Sequence, residues 1–278
     1  KNTKIIQKCT EAYKEIEKVN NSMSTYKEYS EVSRLNRDGY LDSASSNLAY
    51  VLDKARYYSE ISDGAFDITV KPVLDLYQNS FQNKSSPPSA DILTKTLNLV
   101  DYKNVVIKDR RVELKAKGCM ITLGGIAKGY AIDKAVESLK KNGISHGLVN
   151  AGGDIRTIGK KPDGSHWIIA LQNPRAPEDY ITRLKLDDMA VATSGDYERY
   201  FDENKSAHHI MNPKTGKSST ELISVTVVAD KAVDADTLAT TVFVLGAKQG
   251  MGLIEKFENT EALIITSDRR ILKSSEMD

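Results

Sequence analysis

The stretch Ile121-Thr122-Leu123-Gly124-Gly125-Ile126-Ala127-Lys128-Gly129-Tyr130-Ala131-Ile132-Asp133 carries the signals of a strand, a turn and a helix in one short run. Its first apolar residues read as a strand that runs into a glycine pair. Beyond the glycines, Ala131, Ile132, Ala135, Val136 and Leu139 form one helical stripe, and Lys140, Lys141, Asn142 and Gly143 read as that helix's C-terminal stop. The arrangement suits a phosphate: Gly124 and Gly125 let backbone approach a ligand, the first helical amides point outward unpaired, and Lys128 adds positive charge. It is neither a P-loop, since Lys128 is followed by Gly129, nor a Gly-x-Gly-x-x-Gly dinucleotide fingerprint. A turn whose glycines serve only close packing is the alternative, and from this stretch alone both readings stay open.

Upstream of this stretch, Val105-Val106-Ile107 and Val112-Glu113-Leu114 read as a hairpin leading into it. Residues 80–89, with Ser85-Ser86-Pro87-Pro88, read as a loop, followed by a short helix over 92–100. The run Asp63-Gly64-Ala65-Phe66-Asp67-Ile68-Thr69-Val70-Lys71-Pro72 is expected to be extended, with Asp67 acidic among apolar neighbours. A buried carboxylate needs partners, so Asp67 either accepts backbone amides or meets a donor on a ligand. Nearer the start, Ile5, Cys9, Ala12, Ile16 and Val19 share one helical face that Asn20 and Asn21 are expected to end. Ser30 and Ser33 are natural caps for a short helical turn, and Leu48, Val51, Leu52, Ala55 and Tyr58 mark a second long helix stopping at Ser62-Asp63-Gly64.

Downstream, 146–156 reads as a strand broken by Gly152-Gly153, 167–171 as a strand, and Thr193-Ser194-Gly195 as a third glycine site. Glycines inside strand patterns mark bulges or the close approach of backbone or ligand, and three such sites point to a cleft. His208 and His209 stand side by side in a turn-rich segment that reads as solvated, without metal-ligand spacing to a third histidine or a cysteine. If 235–246 is a helix, Asp236 and Thr240 share a face near its N-terminus. A carboxylate and a hydroxyl suit Mg²⁺, which takes its other ligands from water and substrate phosphates. The plainer reading is an Asp favouring the helix dipole and a Thr bonded back onto its own helix. The chain closes with a hairpin over 262–265 and 271–273.

Composition narrows the function classes. In 278 residues, 39 Lys and Arg face 38 Asp and Glu for a net charge of +1, which offers no footprint for nucleic acid. No apolar run has membrane-spanning length. Cys9 and Cys119 fit neither a disulfide scaffold nor a zinc site, and both are read as core. The chain opens with Lys1 rather than Met, and a signal or lipoprotein leader upstream is one expectation. Strands and helices alternate irregularly with several hairpins, so the fold class is expected to be α+β. It has a mixed, largely antiparallel sheet, flanking helices and two closely packed lobes with a cleft between them.

Together these stretches resemble the ApbE family of flavin transferases, which attach FMN to proteins using FAD as donor. The likeness spans nearly the whole chain. It rests on Met23-Ser24-Thr25-Tyr26 with Ser33-Arg34-Leu35-Asn36, then 63–72, 123–133, 150–154, Thr193-Ser194-Gly195, 209–216 and 235–246, in the family's order. The resemblance implies a single domain over 1–278. It further implies that Tyr26 lies beside the flavin, that Ala65, Phe66 and Asp67 contact it, and that Lys128 and His209 contact FAD. The Gly125 carbonyl, Asp236 and Thr240 fall on the family's magnesium positions, and Thr122 stands where many relatives have an Asp facing the cofactor. Asn212 likewise stands where Asp is commoner. The family's first strand, with its Met-Gly-Thr motif, has no counterpart here, so the chain is expected to start after it.

The implied reaction is Mg²⁺-dependent transfer of FMN from FAD to a Ser or Thr hydroxyl of a target protein. AMP is released, His209 acts as base, and Asp236 belongs to the catalytic metal site. The rivals are a Mg²⁺-dependent FAD pyrophosphatase using the same site, a flavin-binding protein without turnover, and a generic nucleotide-binding domain. Family members are usually exported and often lipid-anchored, which implies an extracytoplasmic, membrane-anchored location.

Overall fold

A computed structural model describes residues 2–202 and 207–277. In chain order the helices are α1 (Asn2–Met23), α2 (Glu31–Asp38), α3 (Ser46–Ile61), α4 (Lys71–Lys84), α5 (Ala90–Leu97), α6 (Ala127–Lys141), α7 (Ala232–Leu245) and α8 (Ala247–Ile254). The strands are β1 (Tyr40–Leu41), β2 (Val105–Lys108), β3 (Arg111–Leu114), β4 (Gly147–Ala151), β5 (Asp154–Ile158), β6 (Trp167–Asn173), β7 (Ala176–Leu186), β8 (Ala190–Gly195), β9 (Met211–Asn212), β10 (Lys217–Ser218), β11 (Leu222–Ala229), β12 (Glu261–Thr266) and β13 (Ile271–Lys273). Among the described residues every strand pairing is antiparallel, as expected for α+β. No described helix is long and apolar enough to cross a membrane.

The centre is a six-stranded sheet in the order β13-β12-β11-β8-β5-β4. Its strands bury both faces, and period-two alternation sorts them, with a bulge between Leu222 and Ser224 of β11 that sets Ile223 on the face opposite Val225. Ala190, Ala192, Val225, Val227, Ala262 and Ile264 pack with α6 and α7, while Ile155, Val191, Ile223, Val228, Leu263 and Ile265 face the β6–β7 hairpin. The core on the α7 side continues without a break into α2, α3 and the three-stranded sheet β1-β3-β2, so the two sides of the molecule share it. Local chemistry sets the element ends. Ser30 accepts the Ser33 amide at 2.9 Å to start α2, and Gly39, at φ 80°, closes it by donating to the Leu35 carbonyl at 2.9 Å.

Several expected elements differ. The apolar stripe of α1 runs past Asn20 and Asn21 to buried Met23, because those asparagines sit at an exposed position of a helix whose far end is anchored in the core. The stripe is covered only from Ala12 onward; Ile5 is 51% exposed and Cys9, read as core, is exposed. Residues 63–72 are not extended. Asp67 caps a 3-10 turn over Ile68–Val70, and α4 starts directly after it, with Pro72 in its first turn. The loop expected over 80–89 is shortened, since α4 continues to Lys84. Strand β7 follows β6 in a hairpin that the polar, alternating pattern of 176–186 did not reveal.

The deciding stretch also departs from its reading, because Ile121-Thr122-Leu123 is not a strand. Its backbone is held without a ladder. The Asn36 side chain donates to the Ile121 carbonyl at 2.8 Å and accepts the Ile121 amide at 2.7 Å, and the Thr122 amide donates to the Ile68 carbonyl at 2.8 Å. A side-chain amide from α2 thus replaces a neighbouring strand. Gly152 and Gly153 do not interrupt a strand. They form the tight turn joining β4 to β5.

Candidate functional site

Below the α6 N-terminus lies a cavity of about 970 Å³, lined by residues from all quarters of the chain. Tyr26, Ala65, Phe66, Asp67, Thr122, Gly125, Lys128, His209, Asp236 and Thr240 all line it. These positions span more than two hundred residues of sequence, and the fold brings them to one surface.

The floor is a seam between two helices. Gly129 of α6 meets the first turn of α7 so closely that a Cβ there would lie 2.2 Å from the Ala232 carbonyl oxygen and 2.8 Å from the Asp236 Cβ. At that contact the Gly129 amide donates to Asp236 Oδ2 at 2.9 Å. The first helical amides are therefore not all open to a ligand, because one is committed to a cavity carboxylate. Asp133, one turn further along α6, accepts the Ala232 and Val233 amides at 2.9 Å each and the Arg156 guanidinium at 2.6 Å. It caps α7, whose own N-cap residue Lys231 makes no side-chain cap. Gly125 abuts the same helix, since a Cβ there would lie 3.0 Å from Thr240 Oγ1.

Charge in the floor is unbalanced. Lys128, 42% exposed at its side chain, reaches Asp154 Oδ2 at 3.0 Å, and Asp154 is 2% exposed. Burial would lower the Lys128 pKa, but the Asp154 and Asp236 carboxylates outweigh it and hold the ammonium charged. Burial, and then the Asp154 carboxylate, push Asp236 up to about 7. Two buried carboxylates therefore share a single lysine across the floor. A divalent cation would relieve that excess, and the side-chain donors in the floor are oxygens, the Asp236 carboxylate and the Thr240 hydroxyl, with the Gly125 backbone against Thr240. Among the described residues no cluster of three or more His, Cys, Asp or Glu could cage a metal. The set fits Mg²⁺, which keeps few protein ligands.

Thr240 does not bond back onto its own helix in the way the plainer reading requires. Its hydroxyl meets Ser194 Oγ of β8 at 3.2 Å. The two histidines, expected in a solvated segment, divide. His208 is buried, with Nε2 donating to the Ser219 carbonyl at 2.8 Å and its ring edge-on to Phe243 at 5.7 Å. His209 turns into the cavity, and its Nδ1 lies 3.1 Å from the Arg199 carbonyl. A carbonyl only accepts, so Nδ1 carries the proton and Nε2 is the basic nitrogen. Burial pushes the His209 pKa down to about 4, so the ring is neutral at pH 7.

The flavin-side residues are placed more diversely. Tyr26 is 85% exposed at the rim, while Ala65 and Phe66 are buried. Asp67 accepts the Thr69 amide at 2.8 Å and hydroxyl at 2.6 Å on Oδ1, and the Tyr102 amide at 2.9 Å on Oδ2. Of its two open readings, the structure shows the backbone-accepting one. Thr122 Oγ1 accepts the Gly124 amide at 3.3 Å. Asp154 and Ser194 fell inside stretches quoted from the sequence, 150–154 and Thr193-Ser194-Gly195, but were given no role there; both line the cavity.

A model of the ApbE family matches residues 2–264. A Klebsiella pneumoniae protein named FAD:protein FMN transferase is 34% identical over 226 residues, covering 80% of this chain and 69% of that protein. The Haemophilus influenzae protein of the same name is 32% identical over 271 residues, covering 92% and 78%. Among solved structures, the ApbE protein of Thermotoga maritima superposes with a TM-score of 0.88 at 33% identity, over 97% of this chain and 89% of that one. The flavin transferase ApbE from Vibrio cholerae does so with a TM-score of 0.85 at 28% identity, over 97% and 88%. These likenesses cover the same segments that build the cavity, and the chain belongs to the ApbE family.

Proposed function

We propose that this chain transfers the FMN half of FAD to a Ser or Thr hydroxyl of a target protein, with Mg²⁺ as cofactor and AMP as the second product. One observation carries the reading. A single cavity, large enough for a dinucleotide, joins a neutral imidazole to a floor of Lys128, Asp236, Thr240 and Gly125.

The target hydroxyl reaches the phosphorus on the FMN side of the diphosphate, and its proton passes to His209 Nε2. The hydroxyl oxygen forms the new bond to phosphorus as the bridging P–O bond breaks, and the electron pair of that bond leaves with AMP. General-base help of this kind typically contributes about 10² to 10⁴-fold. Arg199, through its carbonyl, holds the His209 ring with Nε2 available. The Lys128 ammonium offsets charge on the phosphoryl oxygens. Magnesium held by Asp236, Thr240 and the Gly125 carbonyl would act as a Lewis acid on the diphosphate. Tyr26, exposed where it lines the cavity, marks the side from which a protein substrate would approach.

The test incubates the protein with FAD and Mg²⁺, with and without a candidate acceptor bearing an exposed Ser or Thr, and reads AMP and acceptor mass. The expected result is an acceptor heavier by one FMN, with AMP released in step, and slow transfer but retained FAD binding in His209→Ala. Release of AMP and free FMN regardless of acceptor makes water the acceptor and overturns the transfer reading. Intact FAD after long incubation overturns turnover altogether.

A further inference from the structure

Helix α7 carries Thr237, Thr240 and Thr241, and they use their hydroxyls differently. Thr237 Oγ1 donates to the Val233 carbonyl at 2.7 Å, and Thr241 Oγ1 donates to the Thr237 carbonyl at 2.6 Å. Both are back-bonds onto the preceding turn, the ordinary use of a helical threonine. Thr240 instead meets Ser194 Oγ at 3.2 Å. Strand β8 explains why that partner is there. Ala190 and Ala192 pack with α7, so period-two alternation turns Ser194 to the same face, and the two small residues let the helix lie close. Thr193 points the other way and meets Thr226 Oγ1 of β11 at 2.9 Å.

A hydroxyl that offers its lone pair to a cation is forced to turn its hydrogen away from it, and that hydrogen needs an acceptor. We infer that Ser194 is a positioning residue of the metal site: it accepts the Thr240 proton and so keeps the Thr240 lone pair aimed across the floor toward Asp236 and Gly125. Gly125 supports the same geometry from the other side, because a Cβ there would press on Thr240 Oγ1 at 3.0 Å and Cγ2 at 3.2 Å. Without Ser194, Thr240 has the same outlet as its neighbours, the carbonyl one turn back, and its oxygen leaves the floor. The inference rests on the Mg²⁺ reading above and assigns this chain's own residue to it.

The test measures metal binding rather than turnover. Mn²⁺ binding to the full chain is read from loss of the free-ion electron paramagnetic resonance signal, with Mg²⁺ as competitor and ADP present as a diphosphate that cannot donate FMN. Ser194→Ala is expected to weaken binding about tenfold, the size typical of losing a hydrogen-bond partner behind a metal ligand. Ser194→Thr, which restores the hydroxyl, is expected to recover it, and the melting temperature of the metal-free protein stays near that of the parent in both. Unchanged binding in Ser194→Ala, alongside lost binding in Thr240→Ala and Asp236→Ala, overturns the role of Ser194 and leaves the metal reading standing. Unchanged binding in all three overturns the metal reading itself. A loss in Ser194→Ala that comes with a lowered melting temperature and is not recovered by threonine makes Ser194 a packing residue and overturns the inference.

Discussion

The glycines at the start of α6 and those between β4 and β5 border the same cavity, yet they are required for opposite reasons. Gly125 and Gly129 have ordinary backbone angles and no room: a side chain on Gly129 would strike the Ala232 carbonyl, and one on Gly125 would strike Thr240. Gly152 and Gly153 have room and unusual angles. Nothing lies within 4 Å of a Cβ on either, but their φ values are 63° and 99°. The first group is fixed by what approaches it, the second by the turn it makes. A glycine pair therefore marks a close approach at one edge of the cavity and only a reversal of direction at the other.

Four outcomes test that contrast, taken from the largest to the smallest. Gly129→Ala is expected to force α6 and α7 apart, since the clash is with backbone that cannot rotate away. Overpacking of this kind costs about 1–3 kcal/mol in stability, and the Gly129 amide is drawn off Asp236, so Mg²⁺-dependent turnover should be lost with the fall in melting temperature. Normal turnover in this variant would show that the seam tolerates separation. Gly125→Ala meets a side chain that can yield by a few tenths of an ångström. It is expected to fold, with a small drop in melting temperature and clearly weaker Mg²⁺ binding by titration; equal binding would remove Thr240 from the contact that matters.

The neighbouring histidines offer the third test, since His208 faces the core and His209 the cavity, and burial lowers both pKa values. In the unfolded chain a histidine takes up its proton near pH 6.5, whereas His209 in the fold does so only at about 4. At this residue the unfolded state thus binds more protons between those values, and the His209 contribution to stability falls as pH drops from 6.5 toward 4. Asp236, raised to about 7, acts in the opposite sense over the same window, so the His209 contribution is read as the difference between melting curves of the parent and His209→Gln. The variant should lose less stability, or gain more, as pH drops from 6.5 toward 4, and identical slopes would mean that His209 is not held neutral by its surroundings. Least affected should be Gly153→Ala, which strains the turn by about 1 kcal/mol and leaves Mg²⁺ binding as it was. A change in metal binding there would bring the β4–β5 turn into the site and end the contrast.

Much of this molecule was legible before any coordinates, and the parts that were share a physical cause. Helices α3, α6 and α7 and the hairpins β2–β3 and β12–β13 follow from local periodicity and turn residues, and those act over a few neighbours. The pairing of Asp236 with Thr240 was visible for the same reason, because four residues of helix put them on one face. The likeness to flavin transferases named the cavity residues, and every one of them lines the same cavity.

What only the tertiary structure decided involves partners far apart in the chain. Ile121-Thr122-Leu123 has a strand's composition and no strand beside it, because Asn36 supplies its hydrogen bonds. Asp67 carries a carboxylate that either a ligand or the backbone could use, and the Thr69 and Tyr102 amides take it. The residue pattern reads 208–209 only as a solvated turn, and it is the likeness to the family that points to His209; that Thr240 bonds across to Ser194, and that some glycines are bare for their neighbours and others for their φ, came only from the tertiary structure. Local propensity sets which shapes a segment can take. Hydrogen bonds and close contacts between segments tens or hundreds of residues apart determine which one it takes and where each side chain ends.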